Sequence, residues 1–381
     1  MRIIFFIVFF GIFFAINYYV FIRGLRALPA ESNVRYAYSV VFWILALAFI
    51  GGRFLENHLP SPVSEALIWG GSFWIAAAIY FLMAVIGLDF LRLINHFFPF
   101  LPSAVTENYP RAKQFTFMVI TGIVALVLIS GHVNSLRPKI TSLTLSVPKK
   151  TARLQKLNIV VVSDVHMGTI VGRSRLDRIV EKINRMDADL VLLPGDIVDE
   201  DIRPVIRQNL GESLRNIKSR LGVYAVTGNH EYLGGVEAAC AYLKEHNVVL
   251  LRDEWLKIAD SIYLVGREDR FINRLGNTRR KSLSELMACV DKTYPVILMD
   301  HQPFDLEEAA AQSVDLYISG HTHAGQLWPF NYIVRQIYEV PWGYKKIGDM
   351  HVYVSTGVGT WGPPVRIGNR PEIVQMQVSF Y

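Results

Sequence analysis

Cysteine is nearly absent: Cys240 and Cys289 are the only two in 381 residues, and they form no Cys-x-x-Cys pair. That excludes a disulfide framework and a zinc ribbon. One bond between them is geometrically open, and two buried free thiols are the favoured reading. Charge is scarce too, at 19% of residues against 51% hydrophobic. The formal +6 is unevenly spread: residues 1–153 carry 13 Lys and Arg against 5 Asp and Glu, the remainder 26 against 28. The basic excess therefore belongs to loops between apolar runs, and the slightly acidic C-terminal part argues against a nucleic-acid partner. Internal repeats and low-complexity tracts are also absent, which excludes solenoid and linker-like architectures.

Long uncharged runs are what the N-terminal part does have. Ile3–Ile22, Tyr36–Gly52, Ala66–Leu88 and Phe115–Gly131 contain no Lys, Arg, Asp or Glu. With a rise of about 1.5 Å per residue, such runs approach the roughly 20 residues that cross a bilayer core. A transmembrane four-helix bundle over residues 1–132 is expected. Asn17, Ser72 and Thr121 are polar exceptions to be paired inside it, and Tyr18, Tyr19, Tyr36, Tyr38 and Trp69 suit aromatic belts. The first run is too long for a signal peptide and lacks an evident cleavage site. The first and third loops hold Arg23, Arg26, Arg35, Arg92, Arg111 and Lys113. The other side holds Arg2, Arg53, Arg137 and Lys139, unless Lys149, Lys150 and Arg153 are added. The positive-inside rule then puts both termini, and the C-terminal half, on the extracytoplasmic side of the cell membrane.

Residues 133–157 read as a linker with a first strand at Lys139–Val147, between Pro138 and Pro148. From residue 158 to 381 the rhythm becomes α/β. Strands are expected at Ile159–Ser163, Leu190–Leu193, Val223–Thr227, Ile262–Val265, Val296–Asp300, Leu316–Ser319, Val352–Ser355 and Val374–Ser379. Helices are expected at Ser174–Met186, Val205–Ser219 and Val236–His246. Strands alternating with helices imply sheets covered on both faces. The basic loop Phe271–Lys281 reads as a solvated surface loop.

Chemistry is concentrated in five blocks: Asp164-Val165-His166, Gly195-Asp196-Ile197-Val198-Asp199, Gly228-Asn229-His230-Glu231, His301 after Asp300, and Gly320-His321-Thr322-His323. Each follows an expected strand, where ligand sites form in α/β folds. Carboxylate, imidazole and amide oxygen suit borderline divalent ions, with Mn, Fe, Zn and Mg all open. Asp-x-His and His-x-His place two side chains on one side of an extended segment. A carboxylate such as Asp196 can bridge ions about 3.5–4 Å apart, the spacing of two-metal phosphoryl chemistry. His58, His96, His132, His246 and His351 lie outside the blocks and read as structural. Trp328, Trp342 and Trp361 are read as core in preference to an acyl-chain groove.

This pattern resembles the calcineurin-like metallophosphoesterase superfamily across roughly residues 138–381. The segments Ser355-Thr356-Gly357-Val358-Gly359-Thr360, Pro364-Val365-Arg366 and Pro371-Glu372-Ile373 point to its bacterial membrane-associated branch, and Ala324 stands where that branch usually has glycine. The resemblance implies a four-layer α-β-β-α sandwich and two divalent ions, one held by Asp164, His166 and His323, the other by Asn229, His301 and His321, with Asp196 shared. It makes His230 the general acid and Asp199 an orienting residue. Arg366 is left open between a phosphate ligand and a loop staple. The implied activity is hydrolysis of a phosphomonoester, phosphodiester or pyrophosphate, with a lipid-linked substrate of the UDP-diacylglucosamine kind as one candidate. A soluble nucleotide substrate and a non-catalytic sensory module are the alternatives.

Overall fold

A computed structural model describes residues 2–30, 32–149, 153–274 and 278–381. The chain divides into two units, residues 1–132 with 362–365, and residues 133–361 with 366–381.

The first unit is helical: α1 (Arg2–Leu25), α2 (Asn33–His58), α3 (Pro62–Phe97), the short α4 (Ser103–Glu107) and α5 (Tyr109–Ser135). Among the described residues three helices, α2, α3 and α5, are long and apolar enough to cross a membrane; the apolar part of α1 that qualifies is the shorter Phe10–Leu25. Three of the four expected spans are found by this measure among the described residues. Gly71 lets α2 and α3 pack closely, since a Cβ there would overlap the Phe49 backbone, as small residues do at membrane helix contacts. The Asn17 amide is paired, accepting from Trp74 Nε1 at 2.9 Å, and Thr121 donates to the Phe117 carbonyl. The Ser72 hydroxyl is buried without a hydrogen-bond partner, contrary to expectation.

The second unit holds twelve strands: β1 (Lys139–Val147), β2 (Lys156–Val161), β3 (Leu190–Pro194), β4 (Val223–Val226), β5 (Val248–Leu250), β6 (Glu254–Ile258), β7 (Ile262–Gly266), β8 (Val296–Met299), β9 (Leu316–Ser319), β10 (Gly343–Ile347), β11 (Met350–Val354) and β12 (Glu372–Phe380). They form two six-stranded sheets, ordered β1-β12-β2-β3-β4-β5 and β10-β11-β9-β8-β7-β6. The helices are α6 (Arg173–Asn184), α7 (Ile202–Arg207), α8 (Gly211–Arg215), α9 (Asn229–Gly234), α10 (Val236–Glu245), α11 (Leu283–Met287), α12 (Leu306–Ala311) and α13 (Phe330–Ile337).

Apolar residues set the layers. One cluster, with Ile159, Leu192, Leu264, Ile297 and Met376, fills the space between the sheets. A second packs the outer face of the first sheet on α6 and α10 through Val191, Leu176, Ile179 and Leu243. A third packs the second sheet on α11 and α12 through Leu298, Leu286 and Leu306. The result is the expected α-β-β-α sandwich. Strands β3, β8 and β9 are buried along their whole length, which is why they read as unbroken apolar runs.

The expected helix Val205–Ser219 is two short ones. Asn209 sits at φ 52° between them, a left-handed residue of the kind that ends a helix. Cys240 is buried and Cys289 exposed, both free, so the reading of two buried thiols is corrected for Cys289.

Candidate metal centre

The five blocks follow β2, β3, β4, β8 and β9, central strands of the two sheets. Their backbones are unusual where the chemistry lies: Asp164, His166, Asp196, His321 and His323 have φ of 53°, 53°, 51°, 71° and 48°. Left-handed φ is disfavoured for residues with a Cβ, and such strain collects at functional sites. The surrounding structure enforces it. Asp164 accepts from the His321 amide at 2.9 Å and from the Ser163 hydroxyl, and its own carbonyl accepts from Gly359 N at 2.8 Å. Gly228 lies so near Asp196 that a Cβ would overlap the carboxylate.

The side chains converge in two groups. In one, His323 Nε2 lies 3.3 Å from Asp164 Oδ1 and 3.0 Å from His166 Nε2. In the other, His301 Nε2 lies 3.1 Å from Asp196 Oδ2 and 3.2 Å from His321 Nδ1. Asp196 Oδ2 is also 3.9 Å from His166 Nε2, so one carboxylate faces both groups. Asn229 opens α9 beside them, and its Oδ1 is buried without a hydrogen-bond partner. The Pro194 carbonyl accepts from His301 Nδ1 at 2.8 Å, which turns Nε2 toward Asp196, and metal-binding imidazoles are usually held by their other nitrogen in this way.

These donors fit a pair of divalent cations. Asp164, Asp196 and Asp199 are all buried and fall in the three groups of side chains that could hold a metal ion, carboxylates that cations would compensate. The orphaned amide oxygen of Asn229 is the acceptor that a native interior rarely leaves unpaired.

Protonation follows the same charges. Burial and His301 hold His321 down at about 3, and burial, Arg366 and His166 hold His323 well below the usual imidazole range. Burial would lower His301 as well, but Asp196 and Asp164 outweigh it and raise it well above. His230 behaves likewise: against the lowering by burial, Asp196 and Asp199 push it up to about 9. Its Nδ1 donates to Asp199 Oδ1 at 3.1 Å, and Asp199 Oδ1 lies 3.6 Å from His166 Nδ1. His166, Asp199 and His230 thus form a third tight group. Asp199 sits between two histidines.

Arg366 is 1% exposed. It donates to the His323 carbonyl and to His323 Nδ1, both at 2.8 Å, and to the Gly359 carbonyl at 2.7 Å. With the guanidinium committed to protein acceptors, Arg366 has the geometry of a loop staple. Trp328 and Trp361 are 43% and 48% exposed, so they are not core, and the Trp361 ring lies 6.0 Å from that of His230. The loop after β7 is not simply solvated: Arg280 is buried, donating to both oxygens of Asp300 at 3.2 and 3.1 Å. Residues 275–277 of that loop lie outside the described residues.

Glu231 has the largest role that the sequence reading left unassigned. Its carboxylate accepts from the amides of Asp196, Ile197, Val198 and Gly228 at 3.1, 2.7, 2.8 and 2.7 Å. It ties the Asp196 loop to the start of α9. Burial and the Asp196 charge raise it to about 7, against the pull of these amides.

The chain is similar to known proteins. The profile of calcineurin-like phosphoesterases matches residues 157–325. An uncharacterized metallophosphoesterase of Helicobacter pylori J99 is 31% identical over 369 residues, covering 95% of each chain. A Bos taurus transmembrane protein with metallophosphoesterase domain is 32% identical over 274 residues, covering 68% of this chain and 61% of its own. Among solved structures, a dimetal phosphatase from Danio rerio aligns at TM-score 0.36 and 12% identity, over 53% of this chain and 88% of that one.

Proposed function

The chain belongs to the calcineurin-like phosphoesterases and is a metal-dependent phosphohydrolase; from that premise we propose that Asp164, His166 and His323 hold one divalent ion and Asn229, His301 and His321 a second, with Asp196 between them. The observation that carries this is the Asp196 carboxylate, within 3.1 and 3.9 Å of a histidine from each group. Two divalent ions supply Lewis acidity toward the phosphoryl oxygens and lower the pKa of water. Asp196 is kept ionised by His301 and His230, although burial opposes this. His321 and His323 are kept neutral, the state in which imidazole ligates, and His301, lowered by burial but raised more by Asp196 and Asp164, would give up its proton to an ion bound there. His230 carries a proton at neutral pH, with Asp199 fixing its ring, and gives that proton to the leaving oxygen.

Elemental analysis of the purified protein tests the ligand assignment: two ions per chain in the wild type, and loss of metal from both positions in Asp196→Asn. One ion, retained in full by that variant, overturns the shared-ligand reading. His230→Ala should keep both ions yet lose turnover by roughly 10²–10⁴-fold, the scale of general acid catalysis. An unchanged rate removes the acid assignment.

The substrate is proposed to be membrane-proximal and lipid-linked, with a UDP-diacylglucosamine-type pyrophosphate as the specific candidate. Support comes from the apolar helices in the same chain and from apolar surface around the centre. Trp361 stands exposed near His230, and α13, entered directly from the His323 loop, leaves Phe330, Ile333 and Ile337 exposed at i, i+3 and i+7. Lipid-linked and soluble phosphoesters, each assayed on detergent-solubilised full-length protein, separate this reading from hydrolysis of soluble nucleotides. A preference for the soluble esters sinks it.

A further inference from the structure

The helical unit contains a cavity of about 730 Å³ between α1, α2, α3 and α5, within the roughly 300–1,000 Å³ of small-ligand sites. Most of its lining is apolar. The charged lining residues are Arg23, Arg26, Arg92 and Lys113 against one carboxylate, Asp89. Asp89 is already shared: it accepts from Tyr19 and Arg23, and from Arg92 Nη1 at 3.0 Å. The polar remainder is satisfied locally, Tyr38 donating to the Phe21 carbonyl and Thr116 to that of Ala112. Lys113 places its ammonium 5.1 Å from the Tyr109 ring centroid, and among the described residues neither Lys113 nor the exposed Arg26 has an ion pair.

An apolar bore with an uncompensated cationic lining suits one kind of occupant: a molecule with a hydrocarbon tail and an anionic head. We propose that this cavity is a binding site for an anionic glycerophospholipid, an acyl chain lying in the bore and the phosphate meeting Arg26 and Lys113. Helices this apolar place the cavity where such lipids are the solvent, and a zwitterionic headgroup would bring its own cation against the same residues. The site is independent of the metal centre and of what that centre hydrolyses.

The test passes full-length protein through size exclusion in mixed micelles with equal mole fractions of dioleoyl phosphatidylglycerol and dioleoyl phosphatidylcholine. Bound lipid is then extracted and counted by mass spectrometry. The wild type should retain phosphatidylglycerol by about fivefold or more over phosphatidylcholine, the effect of one cation near an anionic lipid. Arg26→Gln with Lys113→Gln should bring the ratio toward one, and Ala112→Trp, which fills the bore, should reduce both lipids. A second arm needs no variant: raising salt from about 0.05 M to about 1 M, where the screening length is near 3 Å, should erode the wild-type preference. Equal retention of the two lipids by the wild type, retention of neither, or a preference that survives both the double substitution and high salt overturns the proposal.

Discussion

Arg366 and Glu231 are both buried, and each acts through a residue proposed to touch metal. Arg366→Ala removes the guanidinium from His323 and from the carbonyls of Gly357 and Gly359. Arg366 also holds the His323 backbone through its carbonyl, and contacts that fix a ligand's orientation are worth about 10–100-fold in metal affinity. The expected outcome is weaker metal retention on dialysis against a chelator, with KM unchanged once metal is restored. A raised KM with full metal content would instead make Arg366 a substrate ligand. Glu231→Gln keeps the shape but turns an NH2 group toward backbone donors that a carboxylate now accepts. A hydrogen bond to a charged group is worth about 1.5–3 kcal/mol, so we expect a loss of that order in chemical denaturation together with weaker metal binding. Stability equal to the wild type would show that the Asp196 loop holds itself. The five blocks stood out in the sequence because carboxylate, imidazole and amide side chains recur at strand ends, and the family resemblance gave the proposed ligand set. The sequence was silent on Glu231, because one carboxylate accepting four amides has no spacing to read, only a fold to bring the loops together.

Elements were legible where their apolar pattern was unbroken or alternated over a long run. Strands β1 and β9 fall where the apolar pattern put them, and β3, β4, β7 and β8 differ from it by a residue or so. The strands that escaped are β5, only three residues long, and the edge strands β6 and β10. The last of these carries Lys345 and Lys346, the cationic residues that protect a sheet edge at the expense of its hydrophobic signature. Helix α9 escaped because its opening residues are those of the Gly228-Asn229-His230-Glu231 block, whose glycine and asparagine read as a turn. Helix α13 escaped too, and it carries a prediction. No residue of it is buried, yet Phe330, Ile333 and Ile337 share one face, as in helices that lie in a membrane interface. Ile333→Glu with Ile337→Glu changes no core contact, so folding and turnover of a soluble ester should stay near wild type. On a lipid-linked ester in micelles, kcat/KM should fall by at least about tenfold, equivalent to about 1.4 kcal/mol. Equal loss on both substrates would make α13 a structural element.

At the scale of the molecule, strands alternating with helices gave the α/β layers, and the family resemblance gave the two-sheet sandwich. The sidedness of the membrane was not readable in the same way, because it rests on a difference of a few charges between loops. The structure supplies an endogenous reporter for it. Cys289 is exposed on the sandwich, whereas Cys240 is buried and burial pushes its thiol up to about 12. The thiolate is the reactive species, so a maleimide added to native protein should modify Cys289 alone, and denaturation should release a second equivalent. Cys289→Ser is the control that abolishes native labelling. If the sandwich stands outside the cytoplasmic membrane, as the loop charges favour, a membrane-impermeant maleimide will label intact spheroplasts as fully as lysed ones. Labelling that appears only after lysis places the catalytic unit in the cytoplasm, where any lipid-linked substrate would be met from the inner leaflet.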